Sequence, residues 1–243
     1  MEQIRISKFF TDCGVMSRRA AEAEISAGRV SVNGEVATLG QKIDPECDVV
    51  EYKGKRVTLP TREKICIMLN KPRGIVTTMS DEKGRTDVSS LCRDIKDKNG
   101  NTLRLYPIGR LDMDSDGLLL LTNDGELANK LTHPRHSIPK IYHVTVSGLL
   151  SEEQVKRLGE PIEIDGRKTA PAEVKKLSSG DNFTLCEFTL YEGRNRQIRR
   201  MCESCGVKIT RLCRVAIGEL TLGDLPTGKW KKLTESQIQY LKK

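Results

Sequence analysis

The chain has 243 residues and a mass of 27.2 kDa, longer than an average domain and shorter than two large ones, which predicts a small module joined to a larger one. Its 41 Lys and Arg outnumber 33 Asp and Glu for a net charge of +8, and aromatic residues are only 4% of the chain; that balance points to a polyanionic partner, nucleic acid first. No stretch approaches the roughly 20 apolar residues that span a bilayer, and Met1 opens into the amphipathic IRISKFF rather than a secretory leader, so the expectation is a cytoplasmic protein without membrane association.

Residues 1–60 read as one module. Ile6, Phe9 and Phe10 recur at helical spacing within Ile4 to Asp12, and Gly14 stops that helix. Ser17 is placed to cap a second helix running through Ala20, Ala21 and Ile25 to Gly28. VSVNGEV then alternates about Asn33-Gly34, a dipeptide suited to the positive φ of a type I′ hairpin, and IDPECDVVEYKGKRV supplies a further strand pair. The polar stretch Leu59 to Glu63 serves as linker, and a second domain spans 64–243.

That domain opens with KICIMLNKPRG, a buried strand stopped by Pro72 and Gly74. Residues 80–104 are polar and Gly-containing and predict a mobile or substrate-ordered insertion. Strands are expected at Leu118–Thr122, Tyr142–Val146, Phe183–Tyr191 and Lys208–Val215. Helices are expected at Glu126–Leu131, Glu152–Leu158 (with a Ser151/Gln154 capping box), Arg196–Cys205 and beyond Thr234. Strands outnumber helices without a βαβ repeat. The fold class is therefore α+β: a small α/β module followed by a mixed domain on a largely antiparallel sheet. No heptad or broad apolar stripe argues against a monomer.

Two runs stand out chemically. In GRLDMDSDGLLLLT (residues 109–122) an acidic loop flanked by glycines leads directly into an apolar strand, a place where burial and a neighbouring cation decide whether a carboxylate is nucleophile, base or acid. Asp112, Asp114 and Asp116 alternate like the first ligands of a calcium loop, but no bidentate Glu follows at the required spacing, so calcium is set aside. In EGRNRQIRRM and its continuation, Tyr191 to Val215 carries seven Lys or Arg against two Glu, which fits either RNA contact or a solvated helix face. Tyr142 in PKIYHVTV is by itself ordinary packing. Cys202 and Cys205 have neither the second pair nor the histidines of a zinc site, and the spacing of His133, His136 and His143 decides nothing. The eight cysteines form no disulfide framework and read as reduced core residues.

GRLDMDSDGLLLLT, KIYHV and EGRNRQIRRM, in that order, resemble the RsuA/RluB/RluF family of ribosomal RNA pseudouridine synthases, nearest the large-subunit RluB-like group. SRRAAEAEISAGRVSVNGEV resembles the alpha-L RNA-binding motif of the S-four type. The resemblance implies isomerisation of a specific uridine in ribosomal RNA, free or in an assembling subunit, with no cofactor and no metal. It implies that Asp112 is the essential nucleophile or base, that Tyr142 stacks on the flipped uracil, and that Arg199 pairs with Asp112 to keep it ionised. Arg110 would fill the space the extruded base leaves. RNA contacts are expected from Lys8, Arg18, Arg19 and Arg29 in the first module and from Arg194, Arg196 and Arg200 in the second. Ser115 stands where many members have Thr. A non-catalytic RNA-binding protein is the alternative reading, and a two-carboxylate glycosidase would leave the arginine-rich helix unexplained.

Overall fold

The computed structural model describes residues 3–59, 63–79, 81–96, 100, 102–133 and 138–242. The module end at Pro60, most of the linker, parts of the 80–104 insertion and His136 lie outside the described residues. Residues 1–64 together with 94–104 and 123–125 form one compact unit; residues 65–93, 105–122 and 126–243 form the other.

In the first unit the opening helix is shorter than its apolar pattern. Ile4–Arg5 form strand β1, and α1 covers Ile6–Asp12, because the backbone of residues 4 and 5 pairs antiparallel with residues 43 and 42 and that ladder overrides the local helical periodicity. Helix α2 (Arg18–Ser26) begins where expected, the Ser17 side chain accepting the Ala20 amide. Strands β2 (Val30–Val32) and β3 (Glu35–Val36) flank a turn with positive φ at both Asn33 and Gly34, the requirement of type I′. β4 (Lys42–Ile43) receives β1, while β5 (Val50–Tyr52) and β6 (Lys55–Val57) complete a four-stranded sheet ordered β3-β2-β5-β6. Ile6, Phe10, Ala21, Ile25 and Val50 form the core between helices and strands.

The second unit is organised around two fully buried strands. β7 (Cys66–Lys71) and β9 (Asp116–Thr122) expose none of their residues, which is why both read as unbroken apolar runs rather than alternating ones. Between them lies β8 (Tyr106–Ile108). After β9 come α3 (Gly125–Thr132), β10 (Lys140–Ser147), α4 (Glu152–Leu158) and the small hairpin β11 (Glu163–Ile164) and β12 (Arg167–Lys168). Both halves of the Ser151/Gln154 capping box are formed at the start of α4. β13 (Glu173–Gly180), β14 (Phe183–Leu190), α5 (Gln197–Ser204), β15 (Ile209–Ile217), β16 (Leu220–Thr221), β17 (Trp230–Lys232) and α6 (Glu235–Lys242) follow.

Nine strands make one sheet, β13-β14-β10-β15-β9-β7-β17, with β16 on β15 and β8 on β9. Every pairing in it is antiparallel except β9 with β15. Leu118, Leu120, Leu127, Ile217 and Leu241 pack one core, while Val144, Phe188, Ile198, Met201 and Leu158 pack the other. Among the described residues no disulfide joins the eight cysteines, and burial pushes the Cys202 thiol up to about 12, the behaviour of a core residue and not of a nucleophile. Among the described residues no helix is long and apolar enough to cross a membrane.

The parallel contact between β9 and β15 depends on Gly117. Its φ is +107°, and a Cβ there would stand 2.3 Å from the Arg214 carbonyl oxygen and 2.8 Å from the Arg214 amide nitrogen. Gly117→Ala is therefore expected to destabilise the protein by about 3 kcal/mol, combining backbone strain with overpacking. Urea unfolding followed by circular dichroism checks this, and a loss under about 0.5 kcal/mol, the range of ordinary surface substitutions, would show that the two strands can part at little cost.

Candidate active site

The loop before β9 is pinned on both sides. Thr77 donates its hydroxyl to the Leu111 carbonyl at 2.6 Å and accepts the Leu111 amide at 3.3 Å. The Gly74 amide donates to the Met113 carbonyl at 2.7 Å, and the Ser115 amide closes a turn onto the Asp112 carbonyl at 3.1 Å. Three carboxylates within five residues must then be neutralised, and arginines from α5 and β15 do this unequally.

Asp114 receives a two-pronged contact from Arg196, at 3.2 Å and 3.1 Å. Arg199 adds Nη2 contacts to the Asp114 carbonyl at 2.9 Å and the Ser115 hydroxyl at 3.1 Å. Burial raises the Asp114 carboxyl, but the Arg196 hydrogen bonds and the charges of Arg199 and Arg196 outweigh it and hold the group below its ordinary value. Asp116 is held by Arg211 at 2.7 Å. Asp112 is different: Arg196 Nη1 lies 3.6 Å and Arg199 Nε 3.9 Å from its Oδ2, so it is flanked by two cations and yet accepts no side-chain hydrogen bond from a described residue. Arg199 Nε is buried and makes no hydrogen bond to a described residue, and burial depresses its guanidinium below the ordinary arginine value against the opposing charge of Asp114.

Helix α5 aims these groups. Arg196 precedes it in a left-handed conformation, φ 51°, uncommon for a residue with a Cβ. The amphipathic period then buries Ile198, Met201 and Cys202 while Arg199 reaches the loop. A cavity of about 420 Å³ opens between the loop, β10, β15 and the segment before α5, lined by Arg110, Asp112, Lys140, Tyr142, Arg196 and Arg214 among others. That is the size of a small-molecule or single-base pocket.

Asp112, Tyr142 and Arg199, singled out from sequence, thus converge on one site, with Arg110 exposed at its lining. The remaining basic residues divide. Arg194 donates to the carbonyls of Arg167 and Lys168 at 2.8 Å and 2.7 Å, tying the segment before α5 to the β11–β12 hairpin, and Arg200 pairs with Asp165. In the first unit Arg29 holds Glu24 through two contacts of 2.6 Å and 2.8 Å and Lys8 pairs with Asp12, whereas Arg18 and Arg19 are exposed in the first turn of α2. Among the described residues no group of three His, Cys, Asp or Glu is placed to hold a metal ion.

Two cations were missed. Lys71 ends β7 fully buried, donating to the Pro72 and Ile75 carbonyls at 2.8 Å and 2.9 Å. Arg214 in β15 is only 4% exposed. Each interrupts a run that otherwise reads as core, and that interruption was the available signal.

Residues 65–204 match the family model described as RNA pseudouridylate synthase, and residues 14–50 match the S4 domain. A ribosomal large subunit pseudouridine synthase B of Bacillus subtilis is 41% identical over 241 residues, covering 98% of this chain and 95% of the relative. A dual-specificity RNA pseudouridine synthase RluF of Escherichia coli is 37% identical over 236 residues, covering 97% and 77%. A pseudouridylate synthase crystal structure superposes with a TM-score of 0.68 at 30% identity, covering 98% of this chain and 99% of that one. Fold and site together define an RNA-modifying isomerase. The chain belongs to the RNA pseudouridylate synthase family and carries an S4 domain ahead of the synthase domain.

The buried lysine gives a pH signature. Burial pushes Lys71 down from 10.5 to about 8, against the opposing charges of Asp116, Asp112 and Asp114. Between about pH 8 and 10.5 the unfolded chain then binds more protons than the folded one, so this residue's contribution to stability rises with pH. The neutral amine still has donors for both carbonyls. The difference in unfolding free energy between the natural protein and Lys71→Met is expected to move in favour of the natural protein across that window; a flat difference would mean that the amine stays charged.

Proposed function

We propose that this protein isomerises one specific uridine of large-subunit ribosomal RNA, with Asp112 as the nucleophile or base that attacks the flipped nucleotide. The carrying observation is the inequality among the three carboxylates: Asp114 and Asp116 are engaged by hydrogen-bonded arginines, while Asp112 lines the cavity with two cations beside it and no side-chain donor bonded to it among the described residues. A nucleophile needs this condition, cationic groups beside it and its lone pairs available. Arg199 then acts as the counter-ion of Asp112, Tyr142 as the stacking platform for uracil, and Arg110 as the group that fills the vacated position in the RNA stack. Uridine and pseudouridine are isomers, so the reaction conserves every atom and consumes no co-substrate. The large-subunit address is supported by the activity for which the Bacillus subtilis relative is named.

In this reading residues 1–60 form the RNA-holding module and 64–243 the catalytic domain. The enzyme works in the cytoplasm, as a monomer, on ribosomal RNA or an assembling subunit. The exposed pair Arg18 and Arg19 opens α2 and supplies the phosphate contacts.

Two experiments test these assignments. A site-resolved pseudouridine map of ribosomal RNA is made from cells lacking the protein and complemented with either the natural sequence or Asp112→Asn. One large-subunit site should disappear and be restored by the natural sequence alone; an unchanged map would favour a binding-only protein or another RNA. Arg18→Glu with Arg19→Glu should weaken RNA binding by about tenfold or more and flatten its salt dependence, leaving the single-turnover rate at saturating enzyme unchanged. A fall in that rate without a fall in affinity would contradict this division of labour.

A further inference from the structure

Arg214 is a buried cation with no ion-pair partner among the described residues. Its Nε donates to the Leu118 carbonyl at 2.7 Å, but its Nη2 is buried with no partner, and its Nη1 donates to no described residue. No described carboxylate pairs with it: Asp114 and Asp112 face Arg196 and Arg199, and Asp116 meets Arg211 through Oδ2 while its buried Oδ1 makes no hydrogen bond to Arg214 or any other described residue. An uncompensated guanidinium at 4% exposure is costly, by several kcal/mol in general, and an unsatisfied buried donor calls for an explanation.

The surroundings fix this side chain in the cavity wall. Arg214 pairs across β15 with Tyr142 of β10 on one side and with Gly117 of β9 on the other. Its guanidinium carbon lies 6.0 Å from the centre of the Tyr142 ring. Gly117, where a side chain would collide with the Arg214 backbone, lets β9 approach closely enough for the Leu118 contact. Arg214, Tyr142, Lys140 and Asp112 all line the same cavity. Lys140 shares the wall, and burial and the Arg214 charge both hold its pKa below the ordinary lysine value. The wall therefore presents uncompensated positive charge beside the ring expected to carry the base.

We infer that Arg214 is a further catalytic residue, donating a hydrogen bond to a carbonyl oxygen of the flipped uracil and stabilising the negative charge that develops there when the glycosidic bond breaks. This rests on the reading that the cavity receives the target uridine beside Asp112. When the N1–C1′ bond breaks, its electron pair leaves with the ring and spreads onto the carbonyl oxygens. When C5 bonds to C1′ the pair is returned, C5 gives up its proton and N1 gains one, so the isomerisation balances with no other reactant. A preorganised donor at an oxygen that becomes more negative acts more strongly on the transition state than on the ground state. Neutral uracil supplies two acceptors for such a fork.

Full-length Arg214→Met, Arg214→Lys and Asp112→Asn are compared with the natural protein. Melting temperature, RNA affinity and single-turnover pseudouridine formation are measured on total ribosomal RNA and ribosomal particles from a strain lacking the protein. Arg214→Met is expected to melt within a few degrees of the natural protein or above it, because an uncompensated buried charge is removed. Its RNA affinity should stay within about threefold, and its rate should fall about 100-fold or more, the loss seen when one such donor is deleted. Arg214→Lys, keeping the charge, should recover part of that rate. A natural rate in Arg214→Met overturns the inference, as does a rate loss accompanied by a melting temperature lowered well beyond a few degrees with Arg214→Lys no faster. If Arg214→Met does not fold, Arg214→Lys decides: a reduced rate at unchanged melting temperature supports the role, and a full rate overturns it. Asp112→Asn separates the two levels. Activity in Asp112→Asn overturns the reading of the site itself, whereas an inactive Asp112→Asn beside a fully active Arg214→Met overturns this inference alone.

Discussion

Three aspartates in five residues repel one another, and the arginines that answer them come from a helix and a strand more than 80 residues further along the chain. At about 4 Å a pair of unit charges near a protein surface interacts with about 4 kcal/mol, so the acidic loop and the start of α5 constrain each other. Arg196 bridges Asp114 and approaches Asp112, while Arg199 reaches the Asp114 carbonyl, the Ser115 hydroxyl and the Asp112 carboxylate. The unequal sharing has chemical meaning. Two carboxylates accept direct hydrogen bonds from arginines, while the third has cations beside it and no side-chain hydrogen bond from a described residue.

The sheet makes this arrangement possible. β9 is buried along its whole length and carries Asp116 and Gly117 into the centre of the unit, with β7 on one edge and β15 on the other pairing its backbone. The β9–β15 contact sets the position of Arg214, and β10 on the far side of β15 brings Tyr142 across from it. One wall of the cavity is thus a cross-strand row, the kind of rigid support on which precise positioning depends, facing the acidic loop and the segment before α5. Lys71, Asp116 and Arg214 are the charged groups in that interior. Each is held by backbone carbonyls or one partner, and the site is accordingly the part of the fold where polar groups and apolar packing compete most directly.

The amino-acid sequence by itself determined what is local. Ser17 as a cap, Asn33-Gly34 as a type I′ turn, the Ser151/Gln154 box and the apolar runs of β7 and β9 each depend on neighbours within a few residues, and each appears in the structure as its pattern requires. The three motifs carrying Asp112, Tyr142 and Arg199 were legible for the same reason, since their order along the chain identifies the family without reference to geometry. Only the tertiary structure decided the rest. Ile4–Arg5 pair as a strand because residues 42–43 lie beside them. Arg194 ties down a hairpin rather than standing free, and Asp112 rather than Asp114 or Asp116 keeps an unbonded carboxylate because of where Arg196 and Arg199 point. Arg214 lies in a cavity wall with no ion-pair partner among the described residues, because Asp114 and Asp112 face Arg196 and Arg199 and Asp116 turns Oδ2 to Arg211. Periodicity reports which side of an element a residue faces; it carries no information about which partner meets it there, and for charged groups in a low-dielectric interior the partner sets the energy and the chemistry.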